Sequence, residues 1–215
     1  PSRAGLTDVL VTPNGVTGSR KQPFGRALEF AHAAVRIVLK ARRTDNTVGK
    51  LYVKNLKLTV PARLVCGGVK WDTGTKQYLA APAAADLVIN HSGQILSTED
   101  TQVAVFYLTP CSPADLLTDL TGTGGTPGLT LTADVAKDIN FTTGARNASF
   151  PILDGNLNFM DQFGSPATQL KGGESYETTL EFDIDSFTLE GEEKEWEDGG
   201  KMTVPVVVPE PTPGP

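Results

Sequence analysis

The chain has 215 residues, with 19 Lys plus Arg, 25 Asp plus Glu, 39% apolar residues and two cysteines. A chain of this size buries roughly 70% of its unfolded surface, so no disulfide framework is required to hold it, and no apolar run reaches the roughly 18 residues of a membrane helix. The 22 Gly and 15 Pro, set among many Thr and Val, favour short strands joined by turns, and the fold class expected is all-β. The chain begins at Pro1 with no basic stretch leading into an apolar one, so its natural start, with any targeting signal, is expected to have been removed.

Residues 1–24 have the composition of a linker or leading segment, and residues 25–198 carry the strand patterns of one sandwich domain. In the LEFAHAAVRIVLKARR stretch, Leu28 and Phe30 are even whereas Val35, Ile37 and Leu39 are odd. That break predicts a long strand kinked between His32 and Ala34, with a helix as the alternative for its middle. Leu51 to Val60 predicts a second strand with Leu56, Leu58 and Val60 inward. Val69 and Trp71 face Tyr78 and Leu79 across Asp72-Thr73-Gly74-Thr75, the pattern of a hairpin. Val103 to Leu108 is apolar at nearly every position, as in a central strand covered on both faces, and Pro110 ends it. Ser112-Pro113 before Asp115 reads as an N-cap, predicting a short helix over Ala114 to Leu120.

Thr121 to Gly128 reads as a loop, and Leu129, Leu131, Ala133 and Val135 alternate as a further strand. The clearest alternation comes next, with Tyr176, Thr178, Leu180, Phe182 and Ile184 on one parity and Glu177, Thr179, Glu181, Asp183 and Asp185 on the other. After Ser186 the apolar parity passes to Phe187 and Leu189, which predicts a bulge or bend. Residues 199–215 form a short apolar strand and a Pro-rich tail.

Charge is unevenly distributed. Residues 1–76 hold 14 Lys plus Arg against 4 Asp plus Glu, and residues 77–215 hold 5 against 21. Arg36, Lys40 and Arg42 alternate with apolar residues, so the basic half is read as a sheet face lying beside acidic strands of the same chain, and no nucleic-acid partner is expected.

No residues assemble into a catalytic motif, and no catalytic residue, cofactor or metal is assigned. His32 lies among Phe30, Ala31 and Ala33, the setting of a satisfied core or edge histidine. His91, before Ser92-Gly93, has a loop signature and is expected to be solvated. Cys66 and Cys111 lack the CxxC spacing of zinc or redox sites; buried free thiols are expected, or one disulfide in an oxidising compartment. The carboxylates Glu190, Glu192, Glu193, Glu195, Glu197 and Asp198 fit no EF-hand spacing and are read as a solvated acidic turn in preference to a calcium site. Trp71 and Trp196 are the chain's two tryptophans, a small stock for a sugar-stacking platform.

Six segments in order resemble the fimbrillin family of Bacteroidetes, specifically its C-terminal half. They are LEFAHAAVRIVLKARR, KLYVKNLKL, the Trp71 hairpin, VAVFYLTP, LKGGESYETTLEF and FTLEGEEKEWEDGG, together spanning about residues 25–200. The resemblance implies a transthyretin-like Greek-key β-sandwich, export as a lipoprotein to the outer surface, and polymerisation by strand exchange with other fimbrial subunits. It implies membrane attachment only through an anchor absent from this chain. Independently of the family, Met202, Val204, Val206 and Val208 share one parity and can complete an open sheet edge, with Pro205 tolerable where its nitrogen points away. They are the donor-strand candidates, and an intramolecular edge strand is the alternative. The function expected is therefore a structural subunit of adhesive surface fimbriae. The alternative is a surface receptor or tip adhesin binding host or dietary glycans, with an extracellular hydrolase behind both.

Overall fold

A computed structural model describes residues 4–12, 30–43, 52–93, 98–116, 128–136, 138–142, 146–151, 169–182, 187–195 and 201–206. Along these the strands are β1 (Leu10–Val11), β2 (Ala31–His32), β3 (Val35–Arg43), β4 (Tyr52–Val60), β5 (Cys66–Asp72), β6 (Gln77–Pro82), β7 (Leu87–His91), β8 (Thr101–Leu108), β9 (Thr130–Ala136), β10 (Arg146–Pro151), β11 (Glu174–Phe182), β12 (Phe187–Glu195) and β13 (Lys201–Val206). They form a five-stranded sheet in the order β13-β12-β11-β3-β8, a four-stranded sheet in the order β10-β9-β4-β7, and two ribbons, β1-β2 and β5-β6. Val35, Ile37, Phe106, Tyr176 and Phe182 of the larger sheet share one buried cluster with Val53, Leu58, Leu87 and Leu131 of the smaller. A core fed by the inner faces of two sheets is a β-sandwich, and the all-β expectation holds.

β3 is the organising strand. It runs antiparallel to β8 and parallel to β11, with Tyr176 opposite Ile37 and Leu180 opposite Ala41. The expected kink falls at Ala33-Ala34, where it divides the stretch into β2 and β3, which belong to different sheets, and no residue of its described middle is helical, so the helical alternative is excluded. The kink has a partner. Gly173 donates its N–H to the Ala34 carbonyl at 3.0 Å, and a Cβ on Gly172 would lie 2.6 Å from the Ala33 oxygen. Gly173 itself sits at φ +87°, a region side chains avoid, so the Gly-Gly pair lets the chain turn against the bend and enter β11.

The outward side chains of β3 are taken up by the same chain, as the charge pattern predicts. Lys40 Nζ lies 2.6 Å from Glu177 Oε2, Arg36 donates to Ser175 Oγ at 3.1 Å, and Arg42 reaches Asp100 at 3.4 Å. Glu177, on the polar parity of β11, is therefore half-buried against Lys40 and not fully exposed as that parity predicts.

Other expectations need revision. β8 is an edge strand of its sheet and not a central one: Ala104, Phe106 and Leu108 are buried while Val103, Val105 and Tyr107 are half-buried. Its apolar character fits the added cover along its outer edge, where Tyr107 N–H donates to the Gly5 carbonyl and Thr109 N–H to the Leu64 carbonyl, both at 2.8 Å. The change of parity near Ser186 is not a bulge within one strand. The chain reverses between β11 and β12, with Phe182 opposite Phe187, and an even position then faces an odd one throughout the pair. The same pairing places Glu190 to Glu195 in β12, so that part of the expected acidic turn is a strand, and Glu197 and Asp198 lie outside the described residues. In β4, Leu56, Leu58 and Val60 are inward as expected, but a bulge at Asn55 (φ +52°) moves the inward parity to Val53 before it.

The Asp115 half of the Ser112 cap is present. Asp115 Oδ2 accepts from both the Ser112 amide at 2.9 Å and its hydroxyl at 2.7 Å, while the Asp115 N–H donates to the Ser112 backbone carbonyl at 3.0 Å, so the hydroxyl acts here as a donor. The cap opens one 3₁₀ turn, Pro113–Leu116, and the remainder of the helix expected to Leu120 lies outside the described residues. Leu129, Leu131 and Ala133 are buried as the alternation in β9 predicts. β7 adds a five-residue strand where the alternation of the sequence gives no clear signal. The Thr121 to Pro127 part of the expected loop, Ile184 and the Pro-rich tail also lie outside the described residues.

Both cysteines are free and buried. Burial raises each thiol, and Cys111, with Asp115 adding to the effect, is pushed up to about 12.

Two outcomes are expected. Tyr176, Leu180 and Phe182 are all buried, Phe182 to 1% exposure, so Phe182→Ala should cost about 3–5 kcal/mol in chemical denaturation, whereas a loss below about 1 kcal/mol would remove β11 from the core. An unfolded Cys111 thiol loses its proton near 9 and the folded one near 12. Between those values the native state holds more protons, so stability should fall as pH rises through that window, and Cys111→Ala should flatten the fall relative to wild type.

Candidate functional site

The β5-β6 ribbon stands apart from both large sheets. Its register pairs Trp71 with Tyr78 and Lys70 with Leu79, as the expected hairpin requires. The turn is held by Asp72, whose Oδ1 accepts from the Thr75 amide at 2.7 Å and hydroxyl at 2.9 Å, with Lys76 at φ +55° closing it. These bonds hold the Asp72 carboxyl below its ordinary value. Trp71 and Tyr78 meet edge to face with ring centroids 5.0 Å apart, yet they are 47% and 46% exposed. Val69 and Leu79 beside them are exposed as well. Large apolar side chains grouped on a protruding ribbon, outside the core, mark a surface suited to contact.

Across from this hairpin lies the β1-β2 ribbon, where Leu10 pairs with His32 and Val11 with Ala31. The leading segment is built into the fold at this point: Ala33 N–H donates to the Val9 carbonyl and Gly5 N–H to the Cys66 carbonyl, both at 2.8 Å. Between the two ribbons is a cleft of about 600 Å³. Val11, Tyr78, Leu79, Pro82 and Pro110 supply apolar wall, and His32, Lys70, Gln77 and Gln169 supply polar groups. This volume falls in the range of small-molecule sites, about 300–1,000 Å³.

His32 is an edge histidine satisfied by a carboxylate. Its Nδ1 lies 2.6 Å from Asp8 Oδ2, while Asp8 Oδ1 accepts from the Val9 N–H at 2.8 Å. The carboxylate fixes the ring's orientation at the cleft wall. His91 departs from expectation: it ends β7, is half-buried, and its Nδ1 is buried without a hydrogen-bond partner.

The donor-strand candidates fall at the far side of the molecule's strand order. Met202, Val204 and Val206 lie on β13, opposite Gly191, Leu189 and Phe187 of β12, and Val208 lies outside the described residues, as does Trp196. Two residues of the cleft region, Asp8 and Lys70, belong to no motif in the sequence. Asp8 sits in a stretch of linker-like composition, and its role depends on a contact 24 positions away. Lys70 has a readable signal, since it is one residue from Trp71 in a strand that otherwise exposes apolar side chains.

No protein-family model matches the chain, and no curated protein matches it. Among solved structures, it is similar to a candidate cell adhesion protein of Bacteroides uniformis, at 12% identity and a TM-score of 0.41, over 80% of this chain and 54% of that one. It is also similar to a candidate cell adhesion protein of Parabacteroides distasonis, at 10% identity and a TM-score of 0.44, over 86% of this chain and 53% of that one. The chain thus spans about half the length of either solved chain.

Proposed function

We propose that this chain is a sandwich domain of a structural subunit of adhesive cell-surface fimbriae, non-enzymatic, with transthyretin-like Greek-key topology, joined to its neighbours by strand exchange. In this reading it is exported as a lipoprotein to the outer surface. The observation that carries the proposal is the position of β13. It is an outer strand of the five-stranded sheet, and it pairs with β12 alone among the described strands. A strand held by one neighbour can leave its own sheet and complete that of another copy, because the backbone hydrogen bonds it makes are the same in either place. Its departure would leave β12 as an open edge, which is the receptor such an exchange requires. The register of Thr188 opposite Pro205 puts the residue without an N–H in an edge strand, where a missing donor is best tolerated. The six segments resembling fimbrillins support the same reading.

A receptor role is favoured by a different feature, the exposed Trp71 and Tyr78 pair. Binding of host or dietary glycans by the monomer, lost in Trp71→Ala, would support it.

The test of strand exchange is the double substitution Val204→Asp with Val206→Asp in the full-length, processed protein. Two carboxylates in an apolar groove are strongly disfavoured, so concentration-dependent polymers seen by electron microscopy should disappear. Deleting 201–208 should leave a folded domain that no longer assembles. Polymers formed undiminished by either variant would overturn the proposal. A melting temperature lowered by several degrees, in a protein that forms no polymers even when intact, would make β13 a purely intramolecular strand.

A further inference from the structure

The cleft between the two ribbons has a chemical bias that strand exchange does not use, since none of the described residues lining it belongs to β12 or β13. Its walls are chiefly aliphatic and aromatic, with Val11, Leu79, Pro82 and Pro110 around Tyr78. Among the described lining residues, Lys70 is the one with a fixed charge, and none is a carboxylate. Asp8 is engaged with His32, and Asp72, two positions from Lys70 and near enough for the Lys70 charge to help lower its carboxyl, has its Oδ1 committed to Thr75 and lies outside the lining. His32, Gln77 and Gln169 add neutral or cationic hydrogen-bonding groups and no negative charge.

We propose that this cleft is a binding site for a small amphipathic anion, an apolar ring or acyl body carrying one carboxylate or sulfonate. The body would lie against Leu79, which shares a face of the ribbon with Lys70, and the anionic head would pair with Lys70. An apolar pocket with one well-placed charged group is the usual build of a small-molecule site, in which burial supplies affinity and the charge supplies orientation. Unlike a core pocket, this one opens beside exposed residues, and Leu79 is 37% exposed. Its key side chains can therefore be changed without touching the sandwich core.

The probes are two dyes with closely similar apolar bodies, 1-anilinonaphthalene-8-sulfonate, which is anionic, and N-phenyl-1-naphthylamine, which is neutral. The folded full chain should bind the sulfonate at one site, at least about tenfold more tightly than the neutral dye. Lys70→Gln should erase that difference and leave the neutral dye's affinity unchanged, while Leu79→Asp should weaken both dyes about tenfold. The Trp71 and Tyr78 ring centroids are 5.0 Å apart, so energy transfer from Trp71 to the bound sulfonate should be seen and should fall in Trp71→Phe, with Trp196 left as the second donor. Equal affinity for the two dyes would overturn the proposal, as would Lys70→Gln leaving the sulfonate's affinity unchanged. Binding that survives Leu79→Asp with no Trp71 transfer would place the dye elsewhere and overturn it too. Unchanged melting temperatures of the variants separate these results from misfolding. None of them depends on polymer formation, so strand exchange can fail while this site stands, and the reverse.

Discussion

The parallel pairing of β3 with β11 is the constraint on which the rest of the structure depends. It joins segments almost 140 positions apart, and by doing so sets both faces of the larger sheet. On the inner face it places Ile37 opposite Tyr176 and Ala41 opposite Leu180, making one continuous wall against β4, β7 and β9. On the outer face it brings the basic residues of β3 beside Ser175 and Glu177. A parallel pair cannot be closed by a tight turn and needs a long connection, which here includes the whole of the second sheet. A slip of one residue in this pairing would turn Tyr176 and Leu180 outward and separate Lys40 from Glu177, so hydrophobic and charged contacts enforce the same register.

The energetic weight of the two faces differs. Burying Tyr176, Phe106 and Phe182 removes large apolar areas from water, worth roughly 1.5–3 kcal/mol for each such side chain. The outer pairs are partly solvated, and pairs of that kind contribute about 0–1 kcal/mol each. The outer face is therefore better understood as keeping β3 in register and neutralising its charge than as holding the sandwich together. The buried thiols behave as small apolar side chains, and their raised values follow from the same burial.

The two ribbons lie outside this arrangement and use the molecule's aromatic surface differently. In the sheets, aromatic side chains fill the core; on β5 and β6, Trp71 and Tyr78 remain half in solvent and pair with each other. The cleft exists because Ala4–Thr12 return to the body through Gly5, Val9 and the β1-β2 pairing. The exposed aromatic pair and the outer strand β13 thus belong to separate elements, one to a short ribbon and the other to the five-stranded sheet.

Local pattern was enough to identify several elements. Alternation along Tyr176 to Phe182 and Leu56 to Val60 predicts strands and their inward residues because a two-residue period needs no partner to be read. The Asp72 turn and the Ser112 cap are legible for a similar reason, since their hydrogen bonds close within three or four residues. Local pattern does not show which strand lies beside which. β8 looks central because an apolar run does not reveal whether a neighbouring strand or a loop covers it, and the parity change at Ser186 suits a bulge or a reversal equally. The Asp8 contact to His32 and the cleft beside it depend on the β1-β2 pairing, which joins Leu10 to His32. Sequence thus determined the strands and their faces through local periodicity, whereas the tertiary structure decided order, edges and site, because those depend on contacts whose partners are far apart in the chain.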